Sequence, residues 1–195
     1  MDFLDAVRKR RMVRHFTSEA VAPEIIERIV QAAQKAPSAG YTQGQALIVV
    51  TRPELKQQIG RLCTEEVYEF PFVSEAAFLV IPCTSEAAYH QRYQEADKIR
   101  EDGKEIRWPV PYWHMDIGCT VMLLLLAAVN EGLGAGFAGI VSEEDNLKLR
   151  ELLHIPDEFT AVGVLPFGHP APHTPSPSLK RGRKAPGDFA HYEQW

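Results

Sequence analysis

The chain has 195 residues, 45% of them hydrophobic, a size and composition typical of one globular domain. Its 21 basic and 26 acidic residues give a net charge of −5, which argues against a general nucleic-acid binder. The N-terminus has no apolar signal segment, and the three cysteines form no CxxC pair, so we expect reduced, buried thiols and a cytoplasmic protein.

Helix starts and buried strands alternate through the first half of the chain. Asp2 is a candidate cap for a first helix, and a second begins at Pro23 and ends before Pro37. Apolar runs predict buried strands over residues 46–51 and 77–83, the latter ending at Pro82, with a helix from Pro53 between them.

The second half is built around a long apolar helix. Residues 117–129 are too few to span a membrane and predict a core helix over 116–130, buried on all sides. Residues 86–113 are charged and aromatic, which favours a surface excursion or lid. Further elements are a strand over 135–140, a helix capped by Ser142, a strand over 160–167 and an extended stretch over 171–178. The pattern predicts a single domain over residues 1–195, a helix-rich, three-layer α+β or α/β sandwich.

Two basic clusters stand out, each of which alone is typical of a solvated face. Brought together by the fold, they would form an anion site suited to a phosphate-bearing small molecule. The clusters are Arg8, Lys9, Arg10, Arg11 and Arg14 near the N-terminus, and Lys180, Arg181, Arg183 and Lys184 near the C-terminus.

The loop over residues 37–45 offers neutral polar groups. Ser38, Thr42 and Gln43 supply donors and acceptors, and Gly40 permits close backbone approach, so the loop can recognise the edge of a planar ring. An ordinary helix-to-strand turn explains the same residues equally well.

No metal motif or activated nucleophile is visible in the sequence. The glycine run GLGAGFAG (132–139) follows a helix and opens a strand, the reverse of the dinucleotide-binding order. The seven histidines are scattered. A polar ring-edge loop and phosphate-binding arginines without a nucleophile indicate a cofactor that carries the chemistry itself.

Several segments together resemble the nitroreductase-like flavoprotein family. RRMVRHF (10–16) and the helix leading to APSAGYTQ (36–43) are similar to that family's RRSVRxF and APSxxNxQPW. The resemblance continues through residues 116–140 and 149–172 and ends in RGRKAP (181–186), whereas residues 60–113 match least.

The resemblance implies a three-layer fold with a central mixed sheet and a homodimer that binds FMN at the subunit interface. Arg10, Arg11 and Arg14 would hold the phosphate and ribityl end, with Met12 contributing only its backbone. The remaining implied contacts are Pro37, Ser38, Ala39, Gly40, Tyr41 and Gln43 from the other subunit, Ala138 and Gly139 near flavin N5, and Arg181 and Arg183 on a C-terminal arm (169–195) that contacts the partner.

The chain departs from the family pattern at three places. Tyr41 replaces the usual Asn, which removes a ring-edge hydrogen bond, and Gly44 and Gln45 replace Pro-Trp, which predicts a looser loop. No Lys or Arg lies between Arg61 and Arg92, so Arg14 is the candidate cation for the flavin N1/O2 edge.

The implied activity is an FMN-dependent NAD(P)H oxidoreductase that reduces a planar, electron-poor acceptor such as a nitroaromatic or quinone. Trp108, Tyr112 and Trp113 would line the acceptor pocket, although core positions suit them equally. Catalysis would need no protein acid, base or metal. Alternatives are a flavin-fragmenting enzyme or reductive dehalogenase, and a non-enzymatic FMN-binding module; NADH and NADPH are not distinguished.

Overall fold

The computed structural model describes residues 1–63, 70–172 and 176–195. Its helices are α1 (Phe3–Lys9), α2 (Pro23–Ala33), α3 (Pro53–Leu62), α4 (Glu86–Arg92), α5 (Tyr112–Asn130), α6 (Glu143–Leu153) and α7 (Pro186–Phe189). Its strands are β1 (Gln45–Val50), β2 (Phe78–Thr84), β3 (Gly134–Ala135), β4 (Thr160–Ala161) and β5 (Leu165–Gly168).

The strands form one sheet in the order β1-β2-β5-β3, with β4 also paired to β2. Every described strand pair is antiparallel, so the predicted mixed sheet is wrong in this respect. The chain leaves β1 and returns through α3 to the same end of the sheet, which makes β2 run opposite to β1. A parallel pairing survives as an isolated bridge between Met12 and Ala135.

Both faces of the sheet are covered, which confirms the predicted three layers. On β2, Leu79 and Ile81 belong to a core shared with α3 and α6. Phe78 and Val80 belong to a second core with α2 and α5, where the Phe78 ring stacks on Phe167 with 4.8 Å between centroids. Alternate residues of a strand point to opposite faces, so one continuous apolar run supplies both cores.

Helix α5 is the longest of the described helices, and it carries apolar residues on its exposed side as well as its buried side. It is long and apolar enough to cross a membrane by length and composition alone. It packs against α2 and β2, however, and buries residues such as Ile117 and Leu124, as a core helix does. The expectation of burial on all sides is wrong, because Met115, Cys119 and Met122 are exposed along one face. Cys119 also contradicts the expectation that every thiol is buried.

The predicted helix starts are confirmed where a capping residue or a proline determines them. Asp2 and Ser142 accept backbone hydrogen bonds at the starts of α1 and α6, and Pro23 and Pro53 open α2 and α3. Pro82, in contrast, lies inside β2 rather than at its end. Its carbonyl accepts from Val162 on the side where β4 and β5 are interrupted, so its missing N–H leaves no gap in the ladder.

The predicted strand over 160–167 is divided into β4 and β5. Gly163 lies between them at φ 154°, and a Cβ there would stand 2.5 Å from the ring of Phe137. The predicted strand over 135–140 is reduced to β3 and a bridge from Ala138 to Val164. The extended stretch predicted over 171–178 lies partly outside the described residues.

The C-terminal arm contributes nothing buried over residues 177–195. It contains a short 3-10 turn over Pro177–Arg181 and the single turn of α7. Leu179, Phe189, Tyr192 and Trp195 are among its exposed residues. Packing of this arm on a partner chain stays a prediction.

Candidate functional site

The basic segment that follows α1 is fixed along the edge of the sheet. Met12 bridges Ala135, and the Val13 N–H donates to the Ala135 carbonyl over 2.9 Å. Further along, the Ala171 N–H donates to the carbonyl of His15 over 2.9 Å. The arginines of this segment therefore stand on backbone that the fold holds in place.

The glycine run after α5 makes this arrangement possible. A Cβ on Gly134 would lie 2.7 Å from a methyl carbon of Val13, and one on Gly136 would lie 2.5 Å from the Val13 carbonyl oxygen. Only glycine allows the two segments to approach so closely. The run is thus a packing device for the basic segment, and its helix-to-strand context is as predicted.

A cleft of about 600 Å³ opens beside this segment. Arg11 lines it together with Arg8 and Lys9, which the sequence comparison with the family did not assign to the site. Gly132 and Gly134 also line it, together with apolar residues that include Val129, Leu133 and Pro170. The three cations at this cleft suit an anionic ligand, and the volume is within the roughly 300–1,000 Å³ of small-molecule sites.

Arg14 contributes a buried hydrogen-bond donor to this region. Its Nε is buried and has no hydrogen-bond partner within the described residues, and the same holds for Nδ1 of His15, whose ring stacks on Phe70 at 3.7 Å. Arg150 Nε is also unpartnered, but Arg150 pairs with Asp157 beside a separate cavity near α6. Buried polar atoms without partners are rare in native structures. The Arg14 Nε–H can only donate, so it suits an oxygen of a polar ligand.

The loop over residues 37–43 is held in an unusual backbone conformation. Gly40, Tyr41 and Gln43 have φ values of 62°, 55° and 54°, in the left-handed region. The Gln43 N–H donates to Ser38 Oγ over 2.8 Å, and Thr42 Oγ1 donates to the Ala39 carbonyl over 2.6 Å. Non-glycine residues in this conformation cost about 1–3 kcal/mol each, and they cluster at functional sites.

The same loop is not loosened by Gly44. A Cβ on Gly44 would lie 2.7 Å from the ring of Tyr89, and its carbonyl accepts from the Ser85 N–H over 2.9 Å. Gln45 Nε2 donates back to the Pro37 carbonyl over 3.1 Å. The expectation of a looser loop is therefore wrong, because the missing side chain is replaced by the Tyr89 ring. Tyr41, at the loop's tip, is 75% exposed.

Ala138 and Gly139 follow β3 in the chain. Ala138 is buried and exchanges two backbone hydrogen bonds with Val164, of 2.8 and 2.9 Å. Gly139 is exposed, and no described atom lies within 4 Å of the position that a Cβ would take. Its backbone is therefore open to a ligand.

The predicted lid is anchored more firmly than a surface excursion. Within it, α4 buries Tyr89 completely, and Trp113 is also buried. Trp108 is half-buried and meets the Tyr93 ring edge-on at 4.7 Å, whereas Tyr112 remains at the surface. Of the three residues predicted to line an acceptor pocket, Trp113 thus forms part of the core, and Trp108 and Tyr112 are the accessible ones.

Ion pairs of His90 and Arg92 hold the charged part of the lid. His90 Nδ1 lies 2.6 Å from Glu105 Oε1, and this hydrogen bond is the main cause that raises the pKa of His90. Arg92 pairs with both oxygens of Asp97 and lowers the pKa of that carboxyl to about 2.

The arginines of the arm lie at the surface of the chain. Arg181 and Arg183 are exposed, and their predicted closure on a phosphate stays a prediction.

A family model described as Nitroreductase family matches residues 7–169. The chain belongs to the nitroreductase family. It is 28% identical to an iodotyrosine deiodinase of Nematostella vectensis over 92% of this chain and 71% of the relative. It is also 28% identical to a putative NADH dehydrogenase/NAD(P)H nitroreductase of Methanothermobacter thermautotrophicus, over 100% of this chain and 88% of the relative. A crystal structure of a putative NADH dehydrogenase/NAD(P)H nitroreductase from Bacteroides thetaiotaomicron has the same fold, with 23% identity and a TM-score of 0.75 over 99% of this chain and 98% of that one.

Family membership confirms the resemblance recognised in the sequence. In this nitroreductase-family chain, sequence reasoning missed Asp116, whose carboxylate accepts from the Ala39 N–H, and Arg92, which donates to the Gly40 carbonyl. An acid at the start of a long apolar helix was the available signal for Asp116. Arg92 carried no signal, because its role depends on the placement of α4.

Proposed function

We propose that the protein is an FMN-dependent NAD(P)H oxidoreductase that reduces a planar, electron-poor acceptor, such as a nitroaromatic or quinone, in a ping-pong reaction. The relative from Methanothermobacter thermautotrophicus, named a putative NAD(P)H nitroreductase, supports this class of reaction. The histidines and carboxylates of the described residues form no group that could hold a metal ion.

The observation that carries the proposal is the buried Nε of Arg14, which has no hydrogen-bond partner among the described residues and stands on a basic segment fixed to β3. The donor set fits FMN, because guanidinium groups bind phosphate and carbonyl oxygens through charged hydrogen bonds. Arg10, Arg11 and Arg14 would hold the phosphate and ribityl end and the N1/O2 edge, with Met12 contributing its backbone. The backbone N–H of Gly139 would donate to N5.

A bound FMN supplies hydride acceptance from the nicotinamide and hydride donation to the acceptor. The chain's own residues would hold the FMN through the arginines of the basic segment and the backbone of Gly139. Trp108 and Tyr112 would contact the acceptor, supported from beneath by the buried ring of Trp113.

The site is completed by a second copy of the chain. Met115, Cys119 and Met122 form an exposed apolar stripe on α5, and the arm is exposed throughout residues 177–195. A homodimer would cover both features. It would bring Pro37, Ser38, Ala39 and Gly40 of one chain to the flavin of the other, with Arg181 and Arg183 closing on the phosphate. A cytoplasmic location remains part of the same proposal.

The test begins with the absorption spectrum of freshly purified protein. A bound-flavin band that bleaches on anaerobic addition of NADH or NADPH, and returns when a quinone is added, supports the proposal and identifies the donor. A protein that cannot be loaded with FMN contradicts it, as does bound FMN that neither nucleotide reduces. Sedimentation of the same sample tests the dimer.

A second candidate function is reductive dehalogenation. The relative named iodotyrosine deiodinase covers 92% of this chain at 28% identity. The assay is anaerobic release of iodide from 3-iodotyrosine by protein reduced with dithionite. Stoichiometric iodide and tyrosine, without pyridine-nucleotide bleaching, would favour this reaction over the first.

A further inference from the structure

Hydrogen bonds within the loop over residues 37–43 fix its conformation but do not fix its position relative to the sheet. The bonds of Ser38 and Thr42 join the loop to itself. A loop with left-handed residues at 40, 41 and 43 needs contacts from outside to hold it against the sheet. Two neighbouring helices, α4 and α5, provide them.

The first contact comes from Asp116 in α5. Its Oδ2 accepts the Ala39 N–H over 2.8 Å and the hydroxyl of Tyr89 over 2.7 Å. Tyr89 is fully buried, and burial is the main cause that raises its pKa, so the hydroxyl stays protonated and donates. Tyr89 thereby orients the carboxylate that holds the loop.

The second contact comes from α4. Arg92 Nε donates to the Gly40 carbonyl over 3.0 Å, while its two terminal nitrogens are occupied by Asp97. The Tyr93 ring stands 2.7 Å from the position of a Cβ on Gly40. The N–H of Ala39 and the carbonyl of Gly40, on adjacent residues of the loop, are therefore held from two sides. The bond to Asp116 is charge-assisted, which makes it the stronger kind.

We propose that Asp116 is a positioning residue for the flavin-contacting loop, with Tyr89 orienting its carboxylate. This inference rests on the proposed FMN site. Asp116 acts through Ala39 and would not itself touch the flavin. Its effect should appear as weaker FMN binding and a mobile loop, with the fold of the domain preserved.

The test compares Asp116→Asn with the wild-type protein in two measurements. Hydrogen exchange of the FMN-free protein reports the Ala39 amide, which we expect to exchange at least tenfold faster in the variant. Quenching of flavin fluorescence gives the Kd for FMN, which we expect to rise about tenfold on loss of a charged hydrogen bond. Asp145→Asn is the matched control, because Asp145 stands in the first turn of α6 and accepts from Ser142 Oγ over 2.6 Å. Neither measurement should change in that control.

Tyr89→Phe keeps the Asp116 carboxylate and removes the hydroxyl that donates to it, so it provides a second, milder variant. We expect a Kd increase of about threefold, and no further loss when it is combined with Asp116→Asn. Unchanged exchange at Ala39, or an FMN Kd within twofold of wild type in both variants, overturns the inference. So does a double variant whose increase in Kd is the product of the increases in the two single variants. A wild-type protein that binds no FMN would instead refute the proposed function, while the exchange data would still test the anchor.

Discussion

Replacing Arg14 by methionine should change stability and FMN affinity in opposite directions. Methionine keeps most of the length of the side chain and removes the guanidinium. Arg14 Nε is buried with no hydrogen-bond partner among the described residues, and an unsatisfied buried donor costs about 1–3 kcal/mol. Its removal should therefore raise the free energy of unfolding, by up to that amount.

The FMN-bound protein should respond with the opposite sign. A hydrogen bond to a charged group contributes about 1.5–3 kcal/mol, which corresponds to a Kd for FMN roughly 10- to 100-fold higher in Arg14→Met. The opposite signs of the two changes are informative, because a variant whose fold is simply disrupted would lose both stability and affinity for FMN.

Urea unfolding of the FMN-free protein and a fluorescence titration with FMN measure the two quantities. Arg52→Met is the control, since Arg52 is exposed just before α3 and far along the chain from the basic segment. An FMN Kd within threefold of wild type, with unchanged or lower stability, would refute the reasoning that Arg14 awaits a ligand.

Three further predictions concern the arm, the loop and the lid. The double change Arg181→Ala and Arg183→Ala should raise the FMN Kd at least tenfold and lower the Tm of the FMN-bound protein; unchanged values would place the arm elsewhere. Gly44→Ala should destabilise by about 1–3 kcal/mol in urea, because its methyl group would strike a buried tyrosine ring, whereas Gly187→Ala meets no described atom within 4 Å and should be neutral. Because hydrogen bonds to two glutamates raise the pKa of His90, protonated His90 stabilises the fold below its ordinary pKa of about 6.5, and this contribution is lost as pH rises through the raised value. His90→Gln should therefore flatten the decline in Tm above pH 6.5, and a parallel decline would contradict the assignment.

The sequence predicted the parts of the fold that local chemistry decides. Helices begin where Asp2 or Ser142 can cap and where Pro23 or Pro53 can open a first turn, because those signals act within a few residues. The end of β2 was misplaced, because Pro82 is tolerated only through an interruption in strands far along the chain. Such an interruption has no local signature.

The same division applies to the candidate site. The motif around Arg10 and Arg14 was visible because its residues are adjacent in sequence and typical of a family. The bond between Ala39 and Asp116 joins residues 77 positions apart, so no local pattern could reveal it. The exposure of Cys119 was missed for a related reason. A helix that is apolar nearly all round gives no indication in its sequence of which face is exposed.

Helix α5 connects the two parts of the proposed function. Its buried side packs against α2 and β2, its first turns hold the loop through Asp116, and its outer face carries the exposed stripe that includes Met122. If a second copy covers that stripe, it packs on the same helix that anchors the loop contacting the partner's flavin. Each half of the site is then positioned by the dimer contact, because in the proposed dimer both the loop and the arm contact the partner's FMN. Binding of FMN and association of the chains must in that case stabilise each other, and the apparent affinity for FMN must rise with protein concentration.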